Sequence, residues 1–386
     1  VRICLYTETA LPKLGGQQFV VDAMARTLTA QGHRVVVLTQ HPRRPLKADD
    51  AGLPYPVVRH PRFVSTQTFV SVYRRFLLGL HRRERFDVVH CHSVYPTGWI
   101  AGLCRGQLGV PVVVTSHGGD VREGNVRLQK PALVRRHTEA LEWADALVSM
   151  SRFTRDGYLR LYPQADHIVP IPNGVDLAPF DAPAPRPGTL PPDVRPAGYA
   201  LFMGRLAQQK GVDVLLEALA RTPGRGGVDL VVAGEGDERG ALEALAAKSG
   251  LTSRVFFAGR TTGADKTYLF QNARFTVMPS RRAEAFPLVV LESYAAGKPL
   301  IGTRIPGLQD LVEPGRTGAL VPEQSVEELA EALATFFADG APLAEMGAVA
   351  RKVAETMSWD SVCRRHVELF QALIDGKRLS GGTWNG

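Results

Sequence analysis

The feature that most constrains this chain is an alternation of short β-branched runs with amphipathic segments, played through twice. Residues 2–6, 34–39, 57–58, 86–92, 111–116 and 146–150 read as strands, with helical segments between most of them. Residues 16–30 carry Val21, Met24 and Leu28 at helical spacing. Runs such as Val112-Val113-Val114 lack polar alternation, which suits strands covered on both faces and hence a parallel sheet. Residues 179–196 then bring seven prolines and little apolar content, the mark of a linker or a long surface connection. The alternation restarts with strands at 199–203, 229–233, 254–258, 275–278, 299–302 and 319–321, and helices at 212–219 and 240–248. The expectation is α/β: two doubly wound domains at 1–178 and 198–357, a proline-rich linker at 179–197, a helix at 358–378 with room to cross back to the first domain, and a disordered tail at 379–386.

Composition narrows the class. A chain of 386 residues that is 45% apolar is long enough for two cores and too apolar for wholesale disorder. No run approaches the roughly 18–20 apolar residues of a membrane span, and Val1–Leu5 reads as a first core strand rather than a secretory signal. The cysteines Cys4, Cys91, Cys104 and Cys363 form no CxxC pair, which suits a reducing cytoplasm and neither a disulfide framework nor a zinc ribbon. His90-Cys91-His92 resembles a metal motif only superficially, because a strand turns Cys91 away from both histidines.

Charge is uneven. Residues 1–180 hold 23 Lys and Arg against 14 Asp and Glu, whereas the remainder holds 23 against 24. No RNA-binding, zinc-finger or helix-turn-helix signature accompanies the basic half, so nucleic acid is not the expected partner. Residues 73–86 read instead as an amphipathic basic helix, with Phe76, Leu77 and Leu80 at helical spacing. Its arginines suit a solvated face, or peripheral contact with an anionic membrane surface.

Ligands of doubly wound sheets bind beyond the carboxyl ends of the strands, so the chemistry is sought in the loops that follow them. Glu284 and Glu292 stand eight positions apart with Pro287 between. Pro287 suits the first position of a helix whose opening amides, at Leu288 and Val289, would hold phosphate. Gly204-Arg205 and Lys210-Gly211 follow the strand at 199–203. There Gly204 permits close backbone approach, and Arg205 and Lys210 would supply two cations to a departing diphosphate without a metal. Lys13-Leu14-Gly15-Gly16 lies between the first strand and its helix, where amides cradle phosphate. Thr115-Ser116-His117-Gly118-Gly119-Asp120 follows another strand and exposes His117 for contact with a sugar hydroxyl. There is no Asp-x-Asp pair for a divalent metal, no GxGxxG or GxxxxGK[ST] phosphate loop, and no GxSxG elbow.

In their order and spacing, several of these residues resemble one family: Gly15-Gly16, His117–Asp120, Pro172-Asn173-Gly174, Gly204-Arg205 with Lys210-Gly211, Ala233–Gly236, Glu284 with Glu292, and Ala295–Pro299. They are similar to the retaining glycosyltransferases of family 4, over about residues 2–375. The resemblance implies a GT-B fold, two Rossmann-like domains facing across a cleft. It also implies metal-independent transfer of a sugar from a nucleotide donor with no cofactor. By the same resemblance Arg205 and Lys210 would bind the donor diphosphate. Glu284 would hold the donor sugar and Glu292 the ribose. The amides of Leu288 and Val289, with Gly16, would contact phosphate, and Gly204 would let the donor approach. His117 would touch the sugar 6-hydroxyl, Arg260 would lie near the base, and Asp120 and His92 towards the acceptor.

UDP-sugar is the expected donor. The acceptor is a small cyclitol or sugar, or a lipid. Composition rich in Arg, Ala and Gly adds an aminocyclitol of antibiotic biosynthesis to the acceptors. Two rival readings are a nucleotide-sugar 2-epimerase, which would convert the donor with no acceptor, and a non-catalytic nucleotide-sugar-binding subunit, against which intact Arg205, Lys210 and Glu284 argue.

Overall fold

A computed structural model describes residues 1–12, 15–41, 50–61 and 66–377. The chain forms two compact units. One comprises Val1–Gly174 and the described residues from Trp359 onward, the other Val175–Ser358, so the breaks fall at Gly174/Val175 and Ser358/Trp359; the tail expected at 379–386 lies outside the described residues.

The first unit runs β1 (Arg2–Tyr6), α1 (Gly16–Ala30), β2 (Arg34–Gln40), β3 (Val57–His60), α2 (Thr66–Glu84), β4 (Val88–Cys91), α3 (Trp99–Leu108), β5 (Val112–Thr115), α4 (Pro131–Trp143), β6 (Ala146–Ser149), α5 (Arg152–Leu161) and β7 (Ile168–Pro170). Its sheet has the order β3-β2-β1-β4-β5-β6-β7, parallel throughout. Alternate residues feed two cores. Cys4, Tyr6, Val89 and Cys91 face the side covered by α2 and α3, while Ile3, Leu5 and Val88 face α1. β7, absent from the sequence expectation, is three residues long and ends in proline. That is tolerated at a sheet edge, where one row of N–H groups needs no partner.

In the second unit the elements are β8 (Ala200–Met203), α6 (Val212–Arg221), β9 (Leu230–Ala233), α7 (Arg239–Lys248), β10 (Val255–Gly259), α8 (Gly263–Asn272), β11 (Phe275–Met278), α9 (Leu288–Ala295), β12 (Leu300–Thr303), β13 (Gly318–Val321), α10 (Val326–Phe337) and α11 (Leu343–Thr356). The sheet order β10-β9-β8-β11-β12-β13 is again all parallel. The proline-rich segment is tied down on this unit. Leu190 and Val194 are buried with Phe270, and Arg186 donates to the Val194 and Pro191 carbonyls and to the Tyr268 hydroxyl.

The last helix, α12 (Trp359–Ile374), belongs to the first unit. Val362, Cys363, Leu369 and Phe370 are buried against Val21, Met24, Ala25 and Leu28 of α1. Full burial of such side chains stabilises by about 1.5–3 kcal/mol each, enough to hold a helix contributed from the far end of the chain. Gly174 packs under it, since a Cβ there would lie 2.5 Å from the Trp359 ring.

On α2 the apolar stripe is spent inside. Tyr73, Leu77 and Leu80 are buried and Phe76 partly so, leaving Arg75, Arg82 and Arg83 exposed. Among the described residues, no helix is long and apolar enough to cross a membrane.

Candidate active site

Each sheet reverses its strand order at one point, between β1 and β4 in the first unit and between β8 and β11 in the second. The loops leaving those strands lie side by side, which makes a doubly wound fold bind ligands there.

In the second unit the two loops touch at Gly211, whose φ is +66°. A Cβ there would stand 2.1 Å from the Pro279 carbonyl oxygen, so a side chain would force the loops apart. The Arg281 amide donates to the Gln209 carbonyl at 2.9 Å, and its guanidinium pairs with Asp213. Across this junction Lys210 Nζ donates to Glu284 Oε1 at 2.6 Å, and Ser280 Oγ donates to the same oxygen at 3.0 Å. Glu284 Oε2 accepts from none of the described residues. The Glu284 backbone is also pinned. Its amide donates to the Pro306 carbonyl at 3.1 Å, and Gly307, with φ +88°, lies where a Cβ would fall 1.9 Å from the Glu284 carbonyl.

Lys210 and Glu284 are therefore an ion pair, with side chains 19% and 23% exposed. Of the two cations expected at the diphosphate, Arg205 is exposed and has no side-chain partner among the described residues. Lys210 is charge-compensated instead, and an incoming diphosphate would compete with Glu284 for it. Gly204 follows β8, and a Cβ there would meet only the Phe202 ring at 3.5 Å, so packing within the protein does not demand glycine.

α9 starts one residue later than expected. Pro287 has extended geometry (φ −77°, ψ 112°) and stands outside the helix as its cap residue. Leu288 and Val289 open the helix, and their amides have no acceptor among the described residues; the first amide to donate is Val290, to Pro287. Two free N–H groups at the positive end of a helix dipole attract an anion. On the second turn Glu292 pairs with Lys266 of α8 at 2.7 Å, a partner that no local pattern announced. Arg260 follows β10 and is exposed, without a partner among the described residues.

The first unit holds a second constellation. Gln17, in the first turn of α1, donates to the His92 carbonyl at 2.6 Å and to Thr7 Oγ1 at 3.0 Å, which joins the loops after β1 and β4. Gly16 is the first residue of α1, and a Cβ there would meet nothing within 4 Å; Lys13 and Leu14 lie outside the described residues. β4 and β5 are neighbours, so His92 and His117 meet, with Nδ1 of His92 3.1 Å from Nε2 of His117 and the rings stacked at 5.4 Å. His90 contacts Thr115 Oγ1 at 2.7 Å and lies 5.4 Å from the ring of His366 on α12. These four histidines line a small cavity with Asn173 and Trp359. Burial lowers the basicity of each ring. His117 and His366 are pulled down to about 4, and His90 and His92, deeper and beside other imidazoles, lie well below the usual range.

Asp120 and His92, the two residues expected towards the acceptor, both make contacts within the first unit. The Asp120 carboxylate accepts from the Val94 amide at 2.5 Å and from the Ser116 hydroxyl, so it clamps the loop that carries His117. The His92 side chain is buried, at 1% exposure, with its ring turned to the cavity and to His117 rather than to solvent.

Comparison with known proteins follows the same division. A model described as "Glycosyltransferase Family 4" matches residues 14–179, and one described as "Glycosyl transferases group 1" matches residues 195–353. A D-inositol 3-phosphate glycosyltransferase of Arthrobacter sp. is 30% identical over 387 residues, covering 94% of this chain and 91% of its own. A glycogen synthase of Mycobacterium tuberculosis is 30% identical over 312 residues, covering 78% and 72%. Among solved structures, HepE of Anabaena in complex with UDP superposes with a TM-score of 0.80 at 20% identity, over 96% of this chain and 100% of that one. The same protein has been solved with UDP-glucose.

Proposed function

Given that the chain belongs to glycosyltransferase family 4 and has the GT-B fold, we propose that it is a retaining, metal-independent hexosyltransferase that uses a nucleotide sugar, UDP-linked by preference. The observation that carries this reading is the convergence of Lys210, Glu284 and the free amides of Leu288 and Val289 at the strand-order reversal of the second unit. UDP and UDP-glucose bound by a protein of the same fold support the donor class.

In this mechanism the bond between the anomeric carbon and the donor phosphate breaks. The negative charge that builds on the diphosphate would be met by Arg205, by Lys210 once the diphosphate displaces Glu284 from it, and by the α9 amides. Glu284 then releases part of its hold on Lys210 and accepts hydrogen bonds from sugar hydroxyls, for which Oε2 is free. Glu292 takes the ribose hydroxyls. The acceptor hydroxyl attacks the same face of the sugar, and its proton passes to the departing phosphate oxygen, giving a nucleoside diphosphate and a glycoside of unchanged anomeric configuration. His117 would hydrogen-bond the sugar, as the family resemblance implies. A small cyclitol or sugar is the acceptor class, supported by the relative named for D-inositol 3-phosphate rather than by any one residue here.

The test is a matrix of UDP-sugars against cyclitol, sugar and phospholipid acceptors, with products read by mass and anomeric configuration by NMR. Formation of an α-glycoside from an α-linked donor, undiminished in EDTA, meets the expectation. An inverted product, loss of turnover in EDTA restored by a divalent metal, or conversion of the donor without acceptor would each overturn part of it.

A further inference from the structure

The hydrogen bond between His92 and His117 decides what His117 presents to a ligand. Nδ1 of His92 and Nε2 of His117 are 3.1 Å apart, so one proton lies between them and only one ring donates. Both rings are neutral at pH 7, and each therefore carries a single N–H. The other nitrogen of His92, Nε2, is buried without a partner. Placing the His92 proton on Nε2 would orphan a buried N–H, a rare and costly arrangement, whereas an orphaned acceptor lone pair is better tolerated. The proton consequently belongs on Nδ1, donated to His117. His117 must then accept through Nε2 and carry its own proton on Nδ1. That atom has no protein partner among the described residues and is not sealed from solvent.

We propose that His92 is a positioning residue that locks His117 in the Nδ1–H tautomer, so that the accessible edge of His117 is a neutral hydrogen-bond donor and selects an oxygen acceptor, a sugar hydroxyl lone pair or a phosphoryl oxygen. His117 is thereby barred from acting as a general base through its exposed edge. The role assigned to His117 rests on the transferase reading above; the tautomer itself does not. Around this pair stand His90 and Thr115 from neighbouring strands and His366 from α12, and none of the described residues puts a carboxylate in hydrogen-bond contact with either ring of the pair.

The experiment is a long-range proton–nitrogen NMR spectrum of the full-length, ligand-free protein labelled with ¹⁵N-histidine, at pH 7.5, with His117 assigned by its disappearance in His117→Gln. The Nδ1–H pattern for His117 is expected, and the Nε2–H pattern or a solvent-averaged mixture overturns the proposal. His92→Leu should abolish the fixed pattern and lower kcat about tenfold, the scale of one lost neutral hydrogen bond, while UDP affinity stays within about twofold. An unchanged His117 pattern in that variant also overturns the proposal. The wild-type spectrum decides even if the variant fails to fold. A locked Nδ1–H tautomer in a protein that transfers no sugar would leave the lock standing and remove the transferase reading; an active transferase with the other tautomer would do the reverse.

Discussion

Acidification from pH 7.5 to 5.0 should destabilise the first unit and spare the second. His366 is 3% exposed and its affinity for protons is pulled from 6.5 to about 4. It binds protons more weakly folded than unfolded, so its neutral form contributes full stability above about pH 7, and that contribution is lost as pH falls through 6.5 towards 4. Linkage puts the loss at about 2 kcal/mol at pH 5. His117 has a similar shift but a ring edge in contact with solvent, and is assigned somewhat less; His90 and His92, both buried, act in the same direction. Together the loss is at least roughly 3 kcal/mol, a large share of a domain's stability. Carboxylates held low by guanidinium partners, Asp87 beside Arg2 and Glu84 beside Arg34, lose their contribution only below about pH 4.5 and do not confuse this window. The assay is urea unfolding followed by tryptophan fluorescence. Residues 175–358 contain no tryptophan, whereas Trp99, Trp143 and Trp359 lie in the first unit and Trp384 follows it in the sequence, so the signal does not report the second unit. The midpoint should fall steadily from pH 7.5 to 5.0, and His366→Leu should flatten the dependence by about one proton. A midpoint that does not move over this range would refute the account of these histidines as buried and neutral.

Three further outcomes concern the second unit, whose stability needs calorimetry because its unfolding is silent in tryptophan fluorescence. Lys210→Ala should lower turnover at least about 100-fold while costing only about 1 kcal/mol, the worth of one partly exposed ion pair; matching losses of activity and stability would reject its place at the diphosphate. Arg205→Ala should leave the melting temperature unchanged, because the side chain is exposed and unpartnered among the described residues, yet weaken binding of UDP measured by titration calorimetry. Gly211→Ala should destabilise by about 2 kcal/mol or more and lower activity as well, because the new Cβ meets the Pro279 carbonyl at a strained φ; a neutral variant would show that the two loops need not touch. Binding to anionic vesicles, if measured, should be abolished by salt above about 0.5 M, because the apolar stripe of α2 is buried and only its arginines remain for a membrane.

Much of the fold was legible locally. α1 spans residues 16–30 as its spacing predicts, and the β-branched runs became strands within a residue or two at each end. β7 escaped because three residues ending in proline carry no periodicity, and the α9 boundary slipped by one because proline suits both the cap and the first helical turn. Of the site, Arg205, Lys210 and Glu284 were visible as residue types in the loops after strands, and Glu292 in the helix that follows. Ser280 was visible only as a hydroxyl four residues before Glu284, and Lys266 and His366 gave no signal.

Alternation of apolar runs, placement of glycines and the chemistry available in each loop are local properties, and the sequence by itself determined them. Which loops meet is not local. Lys210 and Glu284 are 74 residues apart, His92 and His117 are 25 apart, and α12 joins a unit left behind at Gly174. Those encounters depend on strand order and on burial of one apolar face against another, interactions that take on a definite partner only when the whole sheet is assembled. The pairing of β8 with β11 and of β4 with β5 therefore decided that Lys210 meets Glu284 and that His92 meets His117.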